Sequence, residues 1–362
     1  MHDLPTPCIL LDGPTVRRNV ERLAKYTRDH KLALRPHTKT HKSIRLGKLQ
    51  MEHGAVGLTV AKSGEAHVMA EAADDILMAY PPVHPGRCAE LANLAHPKTI
   101  RVGIDSAFAA DALSTAARQA GSTIGILVDL DIGHHRTGVQ TSAQALALAQ
   151  QVSNAPGLRL DGIMFFPGQL SHGPPESYGP ALAAIDARLA EVIDLWSKNG
   201  LECRIVSGGS TPAASQSHLL KRLTEIRPGT YIFNDMNSVH SHCATLNDCA
   251  ARILATVVST AVPGQIVLDA GSKTLTSDRC GPVPDSGHGF IVEYPQAKIT
   301  KLSEEHAQVD VTQSDLAPKV GDRVHVIPNH ICPCVNLQDT VYWQEPGEEP
   351  TPMQVDARGK VF

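Results

Sequence analysis

A lysine that follows a short apolar strand is placed where it could do covalent chemistry. The run Leu32–Leu34 ends near Pro36, which cannot donate to a sheet ladder, and Lys39 comes three residues later. A side chain at this place can reach the carboxyl edge of a parallel sheet, where α/β folds hold their ligands. If a lysine is desolvated there, its neutral amine can form a Schiff base. The alternative is a solvated basic loop shared by Arg35, Lys39 and Lys42.

A second segment, Ser207–Pro212, has the composition of an anion site. Its two glycines let backbone amides come close to an anion, and Ser210 and Thr211 add hydroxyl donors. The proline suits the first turn of a helix, whose N-terminal amides would then face a phosphate. In (β/α)8 barrels the loops after the seventh and eighth strands are the usual phosphate site. An ordinary strand-to-helix turn would use the same residues.

Two more loops carry polar groups that could reach the same ligand. In the loop Asp131–Gly138, Arg136 could neutralise a phenolate or carboxylate with its planar fork, or it could form a local ion pair with Asp131. In the segment Glu225–Tyr231, the phenol of Tyr231 could bind the same phosphate. A buried tyrosine hydroxyl needs a partner in any case, so core packing is the alternative.

A histidine and a cysteine two residues apart could share a cation. On an extended chain, residues i and i+2 project to the same face, which would bring His330 and Cys332 together. Imidazole with thiolate favours zinc over magnesium or calcium, and two protein ligands leave positions open for substrate and water. The alternatives are packing, or a redox pair of Cys332 with Cys334.

The elements that must position these residues alternate between strand and helix. The strands are short continuous apolar runs, as expected for parallel strands buried on both faces, and Ala- and Leu-rich helices lie between them. This pattern predicts a (β/α)8 barrel, with a doubly wound open sheet as the alternative. The predicted strands are Leu32–Pro36, Gly57–Ala61, Ile76–Tyr80, Thr99–Ile104, Ile124–Asp131, Leu160–Phe166, Cys203–Gly208 and Ile226–Phe233. The predicted helices include Pro14–Asp29, Phe108–Gln119, Ala143–Val152 and Pro180–Lys198.

After about Ala244 the pattern changes to Val/Ile/Thr alternation with Gly, Pro and Asp turns, which predicts a mainly antiparallel β domain. We expect residues 1–12 to supply a strand to that domain, residues 13–244 to form the barrel, and residues 245–362 to form the β domain with the metal pair. The predicted strands of this domain are Arg252–Ala261, Gln265–Ala270, Phe290–Tyr294, His306–Val311, Arg323–Pro328 and a short one at Met353–Asp356.

Composition and charge exclude several classes of protein. The 362 residues carry a formal net charge of −4, which argues against nucleic-acid or acidic-membrane binding. No apolar run is long enough to span a bilayer, and the first residues lack the pattern of a signal peptide. The eight cysteines are expected to be reduced thiols, so a cytoplasmic protein is predicted.

Together these motifs resemble one family in their order along the chain. Arg35–Lys42, Asp131–Gly138, Ser207–Pro212, Arg227–Tyr231 and His330–Cys332 stand as in D-serine dehydratase-like enzymes and the D-threonine aldolases, members of the alanine racemase-type (fold type III) pyridoxal-phosphate enzymes. The resemblance implies a pyridoxal 5'-phosphate-binding barrel, a C-terminal β domain and a homodimer. It implies roles for individual residues as well: Lys39 as the Schiff-base lysine, Arg136 at the ring oxygen, and Gly208, Gly209, Ser210 and Thr211 as the phosphate loop.

Two details distinguish members of this family. Dehydratase-type members resemble this chain in carrying His-x-Cys, whereas aldolase-type members have an acidic residue where Cys332 stands; the resemblance therefore implies Zn2+, or Mn2+ or Mg2+ for an aldolase. The stretch Phe166–Gln169 departs from a family pattern of Tyr-x-Gly-His. Phe166 can still stack on a ring, but both polar groups of the pattern are absent, which leaves the substrate open.

The expected activity is dehydration of a D-3-hydroxy amino acid, with D-serine first, to a 2-oxo acid and ammonia. An aldolase of D-threonine or another 3-hydroxy-D-amino acid is the main alternative. An amino-acid racemase would need a second acid/base group on the opposite ligand face. A non-catalytic pyridoxal-phosphate-binding protein would need Lys39 but not the metal pair.

Overall fold

The computed structural model of the protein describes residues 4–171 and 173–362. Its first strand, β1 (Cys8–Asp12), belongs to the second of two sheets. The first sheet contains eight short parallel strands: β2 (Ala33–Leu34), β3 (Leu58–Val60), β4 (Asp75–Met78), β5 (Thr99–Ile104), β6 (Ile124–Asp129), β7 (Leu158–Met164), β8 (Ile205–Gly208) and β9 (Glu225–Ile226).

These eight strands form a barrel. Neighbours pair in the order β2, β9, β8, β7, β6, β5, β4 and β3, and an isolated parallel bridge between His37 and Thr59 joins the chain beyond β2 to β3. Apolar side chains with no solvent exposure, such as Ile76, Val102 and Ile126, fill the contact between strands and helices. The predicted (β/α)8 barrel with a separate β domain is confirmed.

Helices follow most of the barrel strands, and several have side-chain caps that are readable in the sequence. Thr141, for example, accepts the Gln144 backbone amide while the Gln144 side chain bonds back to the Thr141 amide, a capping box. The helices of this part are α1 (Gly13–Asp29), α2 (Ile44–Glu52), α3 (Ser63–Met69), α4 (Pro85–Leu94), α5 (Ala107–Ala120), α6 (Ser142–Asn154), α7 (Gly179–Lys198) and α8 (Met236–His240).

Two local predictions about the barrel are wrong. The eighth strand ends at Ile226 instead of Phe233, because Pro228 cannot extend a ladder and residues Thr230–Ile232 form a 3-10 helix. The glycine-rich segment after β8 leads into a turn and then a 3-10 helix, Ala214–Leu219, so Pro212 does not begin an α-helix. Both departures lie at the carboxyl edge of the barrel, where irregular backbone surrounds the ligand region.

Part of the barrel interior is filled by charged side chains. Arg35 donates to Glu225 at 3.0 Å and to Asp75 at 2.6 Å, and Arg101 contacts both Asp75 and Asp161. Arg35, Glu225 and Asp161 are each at most 3% exposed. Removing one member would leave a buried charge uncompensated, so the network acts as a unit.

The second sheet is mainly antiparallel. Its remaining strands are β10 (Ala251–Ser259), β11 (Gln265–Leu268), β12 (Phe290–Ile291), β13 (Lys298–Leu302), β14 (Ala307–Asp310), β15 (Arg323–Ile327), β16 (Thr340–Gln344) and β17 (Thr351–Gln354). Short helices α9 (Ser272–Leu275) and α10 (Ile331–Asn336) connect them. Strands β13 and β16 are missing from the sequence prediction.

Strand β1 pairs antiparallel with β10 and parallel with β16 inside this sheet. Residues 1–3 of the segment expected to join the β domain lie outside the described residues. The exact division of the chain at residues 12 and 244 stays a prediction. Within residues 4–171 and 173–362, none of the helices combines the length and apolar composition that a bilayer crossing requires.

Candidate active site

A cavity of about 420 Å³ opens at the carboxyl ends of the barrel strands. Cavities of this size hold small ligands, and this edge is where α/β barrels carry their active sites. Six of the residues singled out from the sequence line it: Lys39, Arg136, Phe166, Gly209, Ser210 and Thr211. Four others lie outside the lining: Gly208, Tyr231, His330 and Cys332.

Lys39 sits in the middle of a 3-10 turn, Thr38–Thr40, shortly after β2. The turn is held on both sides, because the Thr38 hydroxyl donates to the Thr59 carbonyl at 3.1 Å and Thr40 Oγ1 lies 3.2 Å from Cys332 Sγ. The Lys39 residue is exposed, and its amine has no hydrogen bond or ion pair to any described residue. The lysine is therefore accessible instead of desolvated, and its amine is available to a ligand.

The other two basic residues of this segment are not part of a solvated loop. Lys42 is 5% exposed, and its ammonium pairs with the buried carboxylate of Glu65 at 2.5 Å. Arg35 is 2% exposed and belongs to the charged network inside the barrel. Three basic side chains within eight residues thus have three environments, and among them Lys39 is the one that lines the cavity.

The glycine-rich segment forms a cradle of backbone amides. Within the part of the chain that the structure describes, the amides of Gly209, Ser210 and Thr211 have no protein acceptor. Gly209 has a φ of +91°, a left-handed conformation that favours glycine. A Cβ at Gly208 would lie 2.2 Å from the Phe165 ring, so this glycine packs beneath the loop. Successive free amides in such a turn form an anion-binding concavity.

Arg136 lies over the Phe166 ring, 4.6 Å from guanidinium carbon to ring centroid. The alternative of an ion pair with Asp131 is not formed. Asp131 instead accepts the backbone amides of Gly133, His134 and His135 at 3.0–3.1 Å. Although burial opposes it, these bonds lower the pKa of Asp131 to about 2. The carboxylate shapes the loop and leaves Arg136 free to face the cavity.

Phe166 and Gln169, the residues that depart from the family pattern, both contact this loop. The Gln169 amide donates to the Ile132 carbonyl at 2.8 Å. The His134 ring packs edge-on against Phe166 with centroids 5.2 Å apart. Gln169 therefore tethers the loop that carries Arg136, while Phe166 keeps an aromatic wall in the cavity.

Tyr231 lies next to the glycine-rich segment but does not line the cavity. Its hydroxyl accepts a hydrogen bond from Gln50 at 3.0 Å, and its backbone amide donates to Thr211 Oγ1 at 3.2 Å. Burial raises the pKa of the Tyr231 phenol above its ordinary value despite the Gln50 bond, so the phenol stays neutral. Contact of this phenol with a phosphate remains a prediction; support of Thr211 through the backbone is what the structure contains.

The cavity is also lined by polar residues to which the sequence analysis assigned no role, among them His37, Asp129 and Arg227. Arg227 donates to Ser207 Oγ at 2.6 Å and to the Phe165 carbonyl at 2.9 Å, and burial lowers its pKa to about 10. Burial likewise raises the pKa of Asp129 to about 6, although the Thr137 hydroxyl donates to it. The available signal was position, since Asp129 ends β6 and Arg227 directly follows β9.

The metal pair does not lie on an extended chain. His330 is the N-cap of α10 with extended backbone angles, and Cys332 is in the first turn of that helix. The expected geometry of alternating side chains is therefore wrong, because the helix begins at Ile331. The two side chains nevertheless interact by a hydrogen bond. The Thr40 and Thr230 hydroxyls lie 3.2 and 3.6 Å from Cys332 Sγ, which puts the thiol beside the Lys39 turn.

The electrostatics of this pair favour a thiolate on Cys332, whereas His330 must lose a proton before its imidazole can bind a metal. Burial acts against ionisation of both groups, but their mutual hydrogen bond and charges lower the pKa of the Cys332 thiol and raise that of His330 to about 9. Among the described residues there is no group of three or more His, Cys, Asp or Glu placed to hold a metal. Imidazole and thiolate alone fit zinc with open coordination positions.

The residues also fit pyridoxal phosphate. A cavity of suitable size has an accessible amine, a cradle of unpaired amides, a guanidinium and an aromatic ring on its walls. The anion cradle and Lys39 face one space, so a phosphate-bearing aldehyde could occupy both. The unpaired amides are the observation that a ligand phosphate would explain.

Family comparisons agree with this chemistry. Residues 11–237 match the family described as "Alanine racemase, N-terminal domain", and residues 250–343 match "Putative serine dehydratase domain". The chain therefore belongs to the alanine racemase-type, fold type III pyridoxal-phosphate family. Within it, the second match and the relatives below assign it to the group of D-serine dehydratases, D-threonine aldolases and hydroxyaspartate enzymes.

Several curated relatives cover nearly the whole chain. A D-threonine aldolase of Arthrobacter sp is 31% identical over 98% of this chain and 93% of its own length. A D-threo-3-hydroxyaspartate dehydratase of Delftia sp. (strain HT23) is 29% identical over 91% of each chain. The D-serine dehydratase of Dictyostelium discoideum is 27% identical over 92% of this chain and 91% of its own. These relatives support a lyase that uses pyridoxal phosphate and acts on small amino acids.

Solved structures give the same picture. D-threonine aldolase from Filomicrobium marinum superposes with a TM-score of 0.92 at 30% identity, covering 100% of this chain and 98% of that one. A cysteine-to-alanine variant of D-threo-3-hydroxyaspartate dehydratase, solved in the metal-free form, superposes with a TM-score of 0.90 at 26% identity over 98% of each chain. A metal is thus suggested for this group of structures.

Proposed function

We propose that this protein is a pyridoxal-phosphate- and zinc-dependent dehydratase of D-3-hydroxy amino acids, with D-serine as the first substrate to test. The observation that carries the proposal is the Cys332 thiol, which pairs with His330 and lies beside the turn of Lys39. A thiolate–imidazole pair suits zinc better than manganese or magnesium. A cofactor-reactive amine and a zinc pair next to each other would serve elimination of a 3-hydroxyl group.

The barrel residues would hold the cofactor. The amides of Gly209, Ser210 and Thr211 are available to its phosphate, Arg136 to its ring oxygen, and Phe166 to its ring. When bound, pyridoxal phosphate supplies an electron sink for the negative charge left at the substrate α-carbon. Lys39, whose amine has no described protein partner, would attach the cofactor and then take the proton from that α-carbon.

The β-domain residues would act on the other end of the substrate. His330 and Cys332 would hold zinc, which would supply Lewis acidity at the 3-hydroxyl group. Two variants of the related hydroxyaspartate dehydratase have been solved. In one a histidine is replaced by alanine, and in the other a cysteine two positions later is replaced by alanine. The same His-x-Cys spacing in this chain supports the assignment of the pair.

An aldolase of D-threonine or another 3-hydroxy-D-amino acid is the second proposal, favoured by the 31% identity to the Arthrobacter D-threonine aldolase. It would use the same cavity but cleave the bond between the α- and β-carbons, so that D-threonine would give glycine and an aldehyde. It would also take Mn2+ or Mg2+ in place of zinc. The related aldolases in the comparisons include 3-hydroxy-D-aspartate aldolase of Paracoccus denitrificans, also at 31% identity.

Product analysis decides between the two. The holoenzyme is incubated with D-serine, D-threonine and both 3-hydroxy-D-aspartate diastereomers, and 2-oxo acid, ammonia, aldehyde and glycine are measured together. The dehydratase proposal expects 2-oxo acid and ammonia in equal amounts, abolished by chelation and restored by zinc. Aldehyde with a stoichiometric amino-acid product would support the aldolase instead. We further propose a homodimer, which light scattering of the purified protein would test.

A further inference from the structure

A carboxylate from a separate loop holds the imidazole of the metal pair. Asp278 Oδ2 lies 2.8 Å from His330 Nδ1, and the two residues are 52 positions apart. The side chains are 49% and 40% exposed, so the contact lies at the surface side of the pair. With Nδ1 taken by the carboxylate, Nε2 is the nitrogen left for a metal.

The loop that carries Asp278 is fixed by its own bonds. Buried Asn329 donates from its amide nitrogen to the Asp278 carbonyl at 3.1 Å and to the Gly287 carbonyl at 2.8 Å. The Asp278 amide donates to the Thr276 hydroxyl at 3.3 Å. Thr276 has a φ of +63°, which is rare for a β-branched residue and persists where the surroundings hold it. The residue preceding His330 therefore holds the backbone of Asp278, whose carboxylate His330 contacts.

The backbone between the two ligands is held from the barrel side. The buried carboxylate of Asp235 accepts the Ile331 amide at 3.1 Å and the Ser238 amide at 3.0 Å. Cys334 Sγ lies 3.2 Å from the His330 carbonyl on the other side of the helix start. With the backbone fixed in this way, the freedom left to His330 is rotation of its ring, and Asp278 is placed to restrict it.

We propose that Asp278 is a positioning residue of the metal pair: its carboxylate fixes the tautomer and ring orientation of His330 so that Nε2 and the Cys332 thiolate face one cation. The inference rests on the proposed function of the pair. Metal-ligating histidines commonly donate their second ring nitrogen to such a carboxylate, which also makes the imidazole a stronger ligand. A plain surface ion pair between Asp278 and His330 would leave metal affinity unchanged.

The test measures metal affinity of the holoenzyme, independently of turnover. Wild type, Asp278→Ala, Asp278→Asn and the matched control Asp285→Asn are stripped with a chelator and titrated with zinc against a chromogenic competitor. Asp285 is an exposed carboxylate on the same loop with no described contact to the His330 segment. We expect Asp278→Ala to weaken zinc binding by roughly 10- to 100-fold, as loss of such a partner usually does. Asp278→Asn keeps an acceptor oxygen and should lose less, and the control should match wild type.

Cobalt substitution gives a spectroscopic readout that a merely structural role would not move. The thiolate-to-cobalt absorption should shift or broaden in Asp278→Ala, while cofactor absorbance and thermal unfolding of the metal-free protein stay as in wild type. Zinc affinity and cobalt spectra equal to wild type in both Asp278 variants would overturn the inference but leave the proposed zinc site standing. No zinc or cobalt binding by wild type would overturn both.

Discussion

The two halves of the candidate site are built in different ways. The cofactor half consists of loops that directly follow parallel strands, with Lys39 after β2, Phe166 after β7 and Gly209–Thr211 after β8. The metal half lies on a six-residue helix, α10, which is positioned by bonds to Asp235, Asp278 and Thr40. A sheet edge brings residues together through regular topology, whereas a short helix needs individual tertiary bonds. The first arrangement should tolerate loss of single contacts better than the second.

The most severe test of the cofactor half compares Lys39, which lines the cavity, with Lys42, which does not. Lys39→Ala should lower turnover by about 10³-fold or more, because the covalent attachment and the general base are lost together. Lys42→Ala should keep cofactor attachment but destabilise the protein by roughly 3–5 kcal/mol, because Glu65 would be left as an unpaired buried charge. Borohydride reduction and peptide mapping check this; a pyridoxyl label on Lys42 would reverse the assignment.

The next largest effect concerns the metal half. Cys332→Ser should weaken zinc binding by more than the roughly 10- to 100-fold expected for an outer partner, because a metal ligand itself is removed. Cys332→Asp should shift preference toward manganese or magnesium, which bind carboxylates well. Metal content and the cofactor spectrum are measured side by side. If cofactor absorbance vanishes with the metal, the two halves are not independent and the comparison fails.

A smaller effect is expected at the phosphate cradle. A hydrogen bond to a charged group is worth about 1.5–3 kcal/mol, so Thr211→Ala should weaken pyridoxal-phosphate affinity by about tenfold or more. Excess cofactor should restore most of the turnover. Equilibrium dialysis measures the cofactor dissociation constants of this variant and of wild type. Thr137→Ala, which removes another hydroxyl from the same cavity, is measured for comparison. An unchanged dissociation constant would exclude the Thr211 hydroxyl as a phosphate donor.

The smallest effect concerns the stability of the Arg136 loop. The folded pKa of Asp131 is about 2, below its unfolded value, so its contribution is complete above about pH 4 and is lost as pH falls toward 2. Asp131→Asn should therefore cost about 1–2 kcal/mol at pH 7, and the difference from wild type should shrink toward pH 3. Urea unfolding at several pH values measures it. A difference that is constant with pH would rule out the carboxylate charge as its cause.

Most of the cofactor half could be predicted from the sequence, because alternating apolar runs fix where strand ends and their loops must meet. The residue types of the metal half could be predicted from the sequence, but the backbone conformation that carries them could not. The sequence gives no strong sign that α10 begins at Ile331, since Pro333 and two cysteines are poor helix signals, and the helix depends on Asp235 and Cys334 contacts across the fold.

Burial was the other property that the sequence could not supply. Arg35 and Lys42 have the same residue types and spacing as a surface loop, yet their carboxylate partners come from distant strands and helices. Arg227 was hidden for the same reason, because its environment is made by Ser207 and Phe165. Strand β13 lacks clean alternation, and pairing with β14 defines it. Strand β16 alternates in burial, with Val341 and Trp343 buried, so its Val-Tyr-Trp run could have been predicted as a strand.

The position of β1 between β10 and β16 has a consequence for synthesis of the chain. The second edge of β1 is covered only when Leu10 pairs with Tyr342, which is synthesised more than three hundred residues later. Contacts of such high sequence separation form late, and an uncovered strand edge can pair with other chains in the meantime. The barrel can be translated and packed while β1 is incompletely paired, so we expect the cofactor half to mature before the metal half. Pulsed hydrogen exchange during refolding would show protection at Leu10 appearing with that of Tyr342, after the barrel strands.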